Sequence, residues 1–302
     1  MKGPLMSIKM EISPWMQADL VTDGKVLVAI GDSHGHSDLL SSLLDAIEEQ
    51  TPPHTHVIFL GDLVDRGPDS RGCLDLAARM RSRRSTTYLM GNHEAMLLAA
   101  LSHFTDCDDW TLGRWAHLWI RNGGGAMRKQ LDVDDNGTPA PLSMSMLTQN
   151  ERSVLENMEI FFRCGNLVFI HAGVSPRCLS PFDDVLDGNV GADFSLDEDA
   201  FSQFVAIHPL DVDRDGEHPL WIRHQFLGFF EAIETGPFVI HGHTKIKTDL
   251  ALIGETYQGI GDIKIRGRRL NLDAGSYATG EIAAAQIQDG RYRIFQAKRD
   301  DV

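Results

Sequence analysis

The chain has 302 residues, with 28 Lys and Arg against 43 Asp and Glu, a formal net charge of −15. Its 42% hydrophobic and 24% charged content is ordinary globular composition and excludes disorder over most of the length. The acidic balance speaks against gripping a nucleic-acid backbone or an anionic membrane by bulk charge; a phosphorylated ligand stays open, because a bound metal reverses the sign locally.

At ~150 residues per domain, the length allows two domains or one large α/β domain. The opening MKGPLMSIKMEISPWMQ lacks the apolar stretch and cleavage site of a signal peptide. No run reaches the ~18 apolar residues of a membrane helix. Residues 1–24 read as an N-terminal extension. Cys73, Cys107, Cys164 and Cys178 form no CxxC pair, so a reduced, cytoplasmic setting is expected.

Residues 26–31 (VLVAIG) form a continuous apolar run, the mark of a strand buried on both faces. Ser37 is a candidate cap for a helix over 37–50, where Leu39, Leu40, Leu43, Leu44 and Ile47 recur at helical spacing and Pro52-Pro53 stop the run. VIFL (57–60) is a second buried strand. A helix is expected from about Ser70 to Arg81, then a third strand, TYLM (87–90). The order β-α-β-α-β predicts three parallel strands. They end at Asp32, Asp62 and Asn92, and in such sheets ligands bind beyond the carboxyl ends of the strands.

Residues 94–160 read as a mainly helical insertion, with Trp110, Trp115 and Trp119 either in a packed cap or on a cleft wall. LVFIH (167–171) and FVIHGH (238–243) are further strands, ending at His171 and His243. Residues 180–219 are acidic and rich in Asp, Gly and Pro, and read as an irregular insertion. The segments LALIGE, IKIRGRRLNLDAG, IAAAQI and YRIFQA read as antiparallel strands and hairpins. A second sheet packed on the first is expected, in one domain over 25–302.

The strand ends carry the chemistry. They bear Asp32 and His34 (GDSHG), Asp62, Asp65 and Arg66 (GDLVDRG), Asn92, His93 and Glu94 (GNHE), His171 (IHAG) and His243 (GHT). Two carboxylates, a carboxamide and three imidazoles suit hard-to-borderline divalent ions, and without thiolates they disfavour structural zinc or iron–sulfur. Six such ligands exceed one tetrahedral ion but fit two ions sharing a carboxylate, which acidify the attacking water and clamp phosphoryl oxygens. The leaving alcohol needs a proton. His93 fits that role, with Asp65 to orient it, and Arg66 offers a planar fork for phosphate.

These five ordered motifs resemble the calcineurin-like metallophosphoesterases, and within them the phosphoprotein phosphatase family in its bacterial and bacteriophage-type branch. WIRNGG (119–124) and LWIRHQFL (220–227) also resemble segments of bacterial members. The resemblance implies a four-layer α/β/β/α sandwich of two mixed sheets with a helical cap-like insertion and the site at the sandwich edge. It implies Asp32, His34 and Asp62 on one metal and Asp62, Asn92, His171 and His243 on the other. It makes His93 the general acid paired with Asp65, and puts Arg66 and Arg223 on the substrate phosphate. Mn is the first expectation for the two divalent ions, with Fe or Zn fitting the same donors. The substrate would be a phosphorylated protein or small phosphate ester, with dinucleoside tetraphosphates the alternative, and no nucleic-acid or membrane partner.

The chain departs from eukaryotic members at His171-Ala172-Gly173 and at LDAGSYATG (272–280), so their regulatory subunits are not implied. Glu94 is expected to orient neighbours, and His241 to sit in the core. DVDRDG (211–216) resembles the start of a calcium loop but would place Ile222 where a bidentate Glu is required. The glycines at 123–125 lack the Lys-Ser/Thr of a phosphate loop and read as a turn. Lys245, Arg266, Arg268 and Arg269 make a basic cluster, either a solvated strand face or a cleft lining.

Overall fold

The computed structural model describes residues 7–102, 116–131, 142–211 and 217–300. Cys107, Trp110, Trp115 and most of the DVDRDG segment lie outside them.

The architecture is a mixed α/β sandwich in four layers. The strands are β1 (Ile8–Ile12), β2 (Met16–Gln17), β3 (Leu27–Ile30), β4 (His56–Phe59), β5 (Thr86–Leu89), β6 (Met158–Glu159), β7 (Phe161–Cys164), β8 (Leu167–Ile170), β9 (Leu179–Ser180), β10 (Ser195–Leu196), β11 (Phe238–His241), β12 (Arg269–Asn271), β13 (Glu281–Gln288) and β14 (Arg291–Arg299). One sheet runs β1-β14-β13-β3-β4-β5-β6, with β2 also on β14, and a second runs β12-β11-β8-β7. As the β-α-β-α-β order predicts, β3, β4 and β5 are parallel.

Alternation explains the continuous apolar runs. In β3, Val28 and Ile30 face one core while Leu27 and Ala29 face another; in β4, Val57 and Phe59 split from Ile58 in the same way. The first core lies under α1 (Ser37–Gln50), α2 (Ser70–Arg81) and α3 (Asn92–Ser102). The second lies between the sheets, where Leu167, Phe169, Phe238 and Ile240 meet Leu27 and Ala283. The third takes the opposite face of the small sheet, with Val168, Ile170 and Val239 against Phe201, Phe204, Phe226 and Phe230. At about 1.5–3 kcal/mol for each large apolar side chain buried, strands covered on both faces have to be apolar throughout.

Several expectations are corrected. Ser37 does not cap α1: His36 stands at the N-cap, and Ser37 Oγ donates to Asp69 Oδ2 at 2.5 Å. Asp69 in turn caps α2 by accepting from the Gly72 N–H. Part of the stretch set aside as an extension is in the sheet, since β1 pairs antiparallel with β14. The insertion read as irregular contains helices Phe182–Asp187 and Glu198–Val205 and the β9–β10 ladder. LALIGE is no strand: Leu250–Leu252 end a helix beginning at Ile246. IAAAQI and YRIFQA do form a hairpin, β13–β14.

Candidate metal centre

Asp32, Asp62 and Asn92 follow β3, β4 and β5, and His171 and His243 follow β8 and β11, so the carboxyl ends of both sheets open on one place. The turns there are bent into left-handed backbone. His34 (φ 42°), Asp62 (52°), Asp65 (71°), Arg66 (64°) and His243 (64°) all have positive φ; among described non-glycine residues only Asp23 shares this. At about 1–3 kcal/mol each, such strain persists only where the surroundings over-determine it. Glu94 supplies the clamp. Its buried carboxylate accepts from the backbone N–H groups of Asp62 (2.8 Å), Leu63 (2.7 Å), Val64 (3.1 Å) and Gly91 (3.1 Å). Burial, helped by the Asp62 charge, pushes Glu94 up to about 7. Gly91 and Gly242 leave room for the acids: a Cβ would meet Asp62 Oδ1 at 2.2 Å and Asp32 Oδ1 at 2.0 Å.

Two groups of buried donors could hold metal ions: His34, Asp62 and His93, and Asp62, His171 and His243. Asp62 belongs to both. Its Oδ2 lies 3.4 Å from His34 Nε2 and 4.0 Å from His93 Nε2, while its Oδ1 lies 3.4 Å from His171 Nε2. One carboxylate thus presents one oxygen to each group. Asn92 joins the second, with Oδ1 3.0 Å from both His171 Nε2 and His243 Nδ1. Asp32 lies outside both compact groups but borders the site, where its carboxylate accepts the His243 N–H at 3.1 Å.

The donor chemistry fits cations. His34 and His171 direct Nδ1 at the carbonyl oxygens of Val64 (3.0 Å) and Leu60 (2.9 Å). With those N–H groups donated, each Nε2 carries a lone pair into the site. The His171 lone pair then faces the oxygens of Asn92 and Asp62, acceptor against acceptor, an arrangement that positive charge between them relieves. Burial also pushes His34, His171 and His243 below the ordinary imidazole value, keeping them neutral as ligation requires. Burial opposes ionisation of Asp62, but the facing charges of Arg66 and of His93, the imidazole whose basicity is raised, hold it below the carboxylate range.

His93 differs from the other imidazoles. Its Nδ1 lies 2.7 Å from Asp65 Oδ2, and its Nε2 is buried without a partner. Burial lowers its basicity, yet Asp62 and Asp65 outweigh this and raise it. Asp65 is itself fixed by Trp119, whose indole N–H donates to Oδ1 (3.0 Å) and Oδ2 (2.8 Å). Trp119 is fully buried, so of the two roles open to it, the packed one holds, with a polar purpose added.

Arg66 is held by the same segment. Its backbone N–H donates to Gly123 O (3.0 Å), its Nε to Asn122 O (3.4 Å), and its Nη1 lies 2.7 Å from His34 Nε2. Residues 120–124, read as a turn at their end, are one wide helical turn bent at Gly123 (φ 109°), where a Cβ would strike the Arg66 side chain. Arg223 donates from Nη1 to His243 O (3.2 Å) and Thr244 Oγ1 (2.7 Å). Burial lowers its basicity while Asp273, Asp62 and Asp32 raise it, so it stands among the acids of the site.

All ten residues singled out from the sequence come to this one place. Sequence reasoning missed five neighbours: Trp119 as a donor, the carbonyl groups of Asn122 and Gly123, buried Asp273, and Tyr277. Burial pushes Asp273 up to about 6. Its signal was available, since LDAG (272–275) places an Asp just past a strand, as at Asp32 and Asp62. His241 is a core residue, buried edge-on against Phe226.

Fold and site together define an α/β/β/α protein with buried histidine and aspartate groups able to hold metal ions. The model of the calcineurin-like phosphoesterases matches residues 25–247, and the chain belongs to that family, whose members are hydrolases of phosphate esters. The chain is 36% identical over 96 residues to "Serine/threonine-protein phosphatase 1" of Salmonella typhimurium, a match covering 32% of this chain and 37% of that protein. It is 43% identical over 74 residues to "Bis(5'-nucleosyl)-tetraphosphatase, symmetrical" of Paracidovorax citrulli, covering 24% and 25%. The chain thus matches well under half the length of either relative. Among solved structures, a point mutant of a cold-active protein tyrosine phosphatase superposes with a TM-score of 0.51 at 16% identity, covering 92% of this chain and 80% of that one. A serine/threonine phosphatase from Saccharomyces cerevisiae superposes with a TM-score of 0.50 at 14% identity, covering 93% and 82%. These two support the fold. Among the described residues, no helix is long and apolar enough to cross a membrane.

Proposed function

We propose that the chain is a dimetal phosphomonoesterase of the serine/threonine protein phosphatase type, in a reducing cytoplasmic setting. The observation that carries the reading is Asp62, whose two oxygens face two separate donor groups. Asp32, His34 and Asp62 would hold one divalent ion, and Asp62, Asn92, His171 and His243 the other, with Mn preferred and Fe or Zn fitting the same donors. When bound, the ions supply Lewis-acid activation of the attacking water and neutralise charge on the phosphoryl group. Arg66 and Arg223 grip the phosphoryl oxygens. His93 delivers a proton from Nε2 to the leaving oxygen, and Asp65 holds the imidazolium in the required orientation. Residues 25–302, with β1 of the N-terminal stretch added to the main sheet, would form one catalytic domain.

The test is turnover of p-nitrophenyl phosphate and phosphoserine peptides by metal-stripped protein with Mn²⁺ restored. His93→Asn should lower kcat by ~10²–10⁴, the span of a general acid. Unchanged turnover by that variant sinks the assignment. A second reading, hydrolysis of dinucleoside tetraphosphates, is favoured by the Paracidovorax citrulli relative. The ratio of kcat/KM for diadenosine tetraphosphate and for phosphopeptide decides between them.

A further inference from the structure

The basic cluster of the C-terminal half divides once folded. Arg269 is buried on Asp249 and Glu231, Arg266 pairs with Glu255, and Arg268 lies over the Phe238 ring. Lys245 alone goes to the metal centre. It stands two residues beyond His243, and its stem runs over Gly275, where a Cβ would meet Lys245 Cδ at 3.2 Å and Cγ at 3.3 Å. Gly275 can take this contact because it has no Cβ and sits at φ 82°. The stem brings the ammonium to 5.0 Å from the ring centre of Tyr277.

The same ring carries the Arg66 guanidinium at 4.4 Å and meets the His34 ring edge-on at 5.4 Å. Tyr277 is 39% exposed, so this arrangement is at the mouth of the site. Two cations therefore share one aromatic ring at the mouth of the site. Among the described residues, neither makes an ion pair with a carboxylate. The nearby acid, Asp273, is buried and takes the Gly275 N–H on Oδ1. Bringing two unpaired like charges to one ring is costly without an anion to share, and the attraction of the ring for each at an exposed site is weak. Arg66 and Arg223 already serve the reacting phosphoryl group, so a further cation on the Tyr277 ring suits a ligand with a second, adjacent anionic group.

We propose that Lys245, seated on Tyr277, is a second anion position beside that of Arg66, and that it recognises the neighbouring phosphate of a phosphoanhydride chain. Lys245 and Tyr277 would then determine specificity, favouring polyphosphate substrates over simple monoesters. The inference rests on the hydrolytic reading of the same site and, within it, favours the second reading, polyphosphate hydrolysis, over the monoesterase. In the reaction, water oxygen bonds to phosphorus as it gives up a proton, the bridging P–O bond breaks, its electron pair departs on the phosphate held by Lys245, and His93 protonates that oxygen and is restored by the proton the water lost.

Steady-state kinetics of the full chain with Mn²⁺, on diadenosine tetraphosphate and p-nitrophenyl phosphate, test the idea. In Lys245→Met the ratio of kcat/KM for the two substrates should fall about tenfold against the polyphosphate, mostly through KM, and Lys245→Arg should restore most of it. Tyr277→Leu should shift the ratio in the same direction by less. Equal losses on both substrates would show a merely structural role, and an unchanged ratio would overturn the proposal outright. So would wild-type protein that turns over the monoester but not the polyphosphate. Calorimetric binding of diadenosine tetraphosphate to the same proteins reads the position without turnover. Protein inert on both substrates overturns the hydrolytic reading, while an unchanged Kd in Lys245→Met overturns this one.

Discussion

Two sets of arginines, close together in the fold, are held in opposite ways. Arg269 is 1% exposed, donates to both oxygens of Asp249, and reaches Glu231 with the same guanidinium. Arg66 and Arg223 meet backbone carbonyl oxygens, a hydroxyl and a histidine nitrogen, and no carboxylate pairs with them among the described residues. In the first set the positive charge is consumed inside the protein. In the second it is aimed but left available. The type of acceptor therefore separates a structural arginine from one that can take an anion.

The comparison can be broken by experiment. Asp249→Asn leaves Arg269 buried with one carboxylate fewer, and should cost about 3–5 kcal/mol of stability in urea unfolding. The cost should depend on pH. Burial opposes ionisation of Asp249, but Arg269 and Asn271 hold its carboxyl below the ordinary value of 3.8. A carboxyl with a depressed folded-state pKa adds stability that is complete above the unfolded value and lost as pH falls through the folded one. The gap between variant and parent should thus be full at neutral pH and shrink below 3.8. A constant gap would show that the charge is not what matters.

Arg66→Ala and Arg223→Ala should do the reverse. On the proposed reading each removes a charged hydrogen bond of about 1.5–3 kcal/mol to the substrate, so kcat/KM should fall ~10- to 150-fold while the unfolding midpoint barely moves. Arg66→Lys should not recover the loss, because an ammonium lacks the planar fork. If either alanine variant instead unfolds early, the division between the two sets fails. A smaller effect is expected at Trp119→Phe, which removes the N–H donor to Asp65. At about 1 kcal/mol for the hydrogen bond, kcat should drop five- to tenfold with KM little changed. The smallest belongs to Arg266→Ala: its pair with Glu255, on a half-exposed rim, should contribute under about 1 kcal/mol and leave turnover alone.

Much of the site was legible because its chemistry sits at strand ends. The steps from Asp32 to Asp62 to Asn92 follow one βα unit each, and buried strands announce themselves as VLVAI, VIFL and LVFI. The helices over 37–50 and 70–81 were legible from their apolar spacing. The acidic stretch 180–219 was not, because its helices are short and its Phe201 and Phe204 find their partners in the core only in the folded chain. LALIGE misled for a related reason: a short apolar run carries no period long enough to tell strand from helix.

The sequence by itself determined the parallel βα core, the residues that gather at its edge, and the kind of chemistry those donors support, because side-chain identity and strand spacing are local properties. Only the tertiary structure decided how four neighbouring basic residues are used. Lys245, Arg266, Arg268 and Arg269 look alike in the chain, yet one meets two carboxylates, one an aromatic ring and a carbonyl, one a surface glutamate, and one the mouth of the metal centre. The same holds for Trp119 and Tyr277, whose polar partners lie far away in sequence. A charge takes its meaning from what it faces, and partners brought together from opposite sheets are written in no single stretch of the chain.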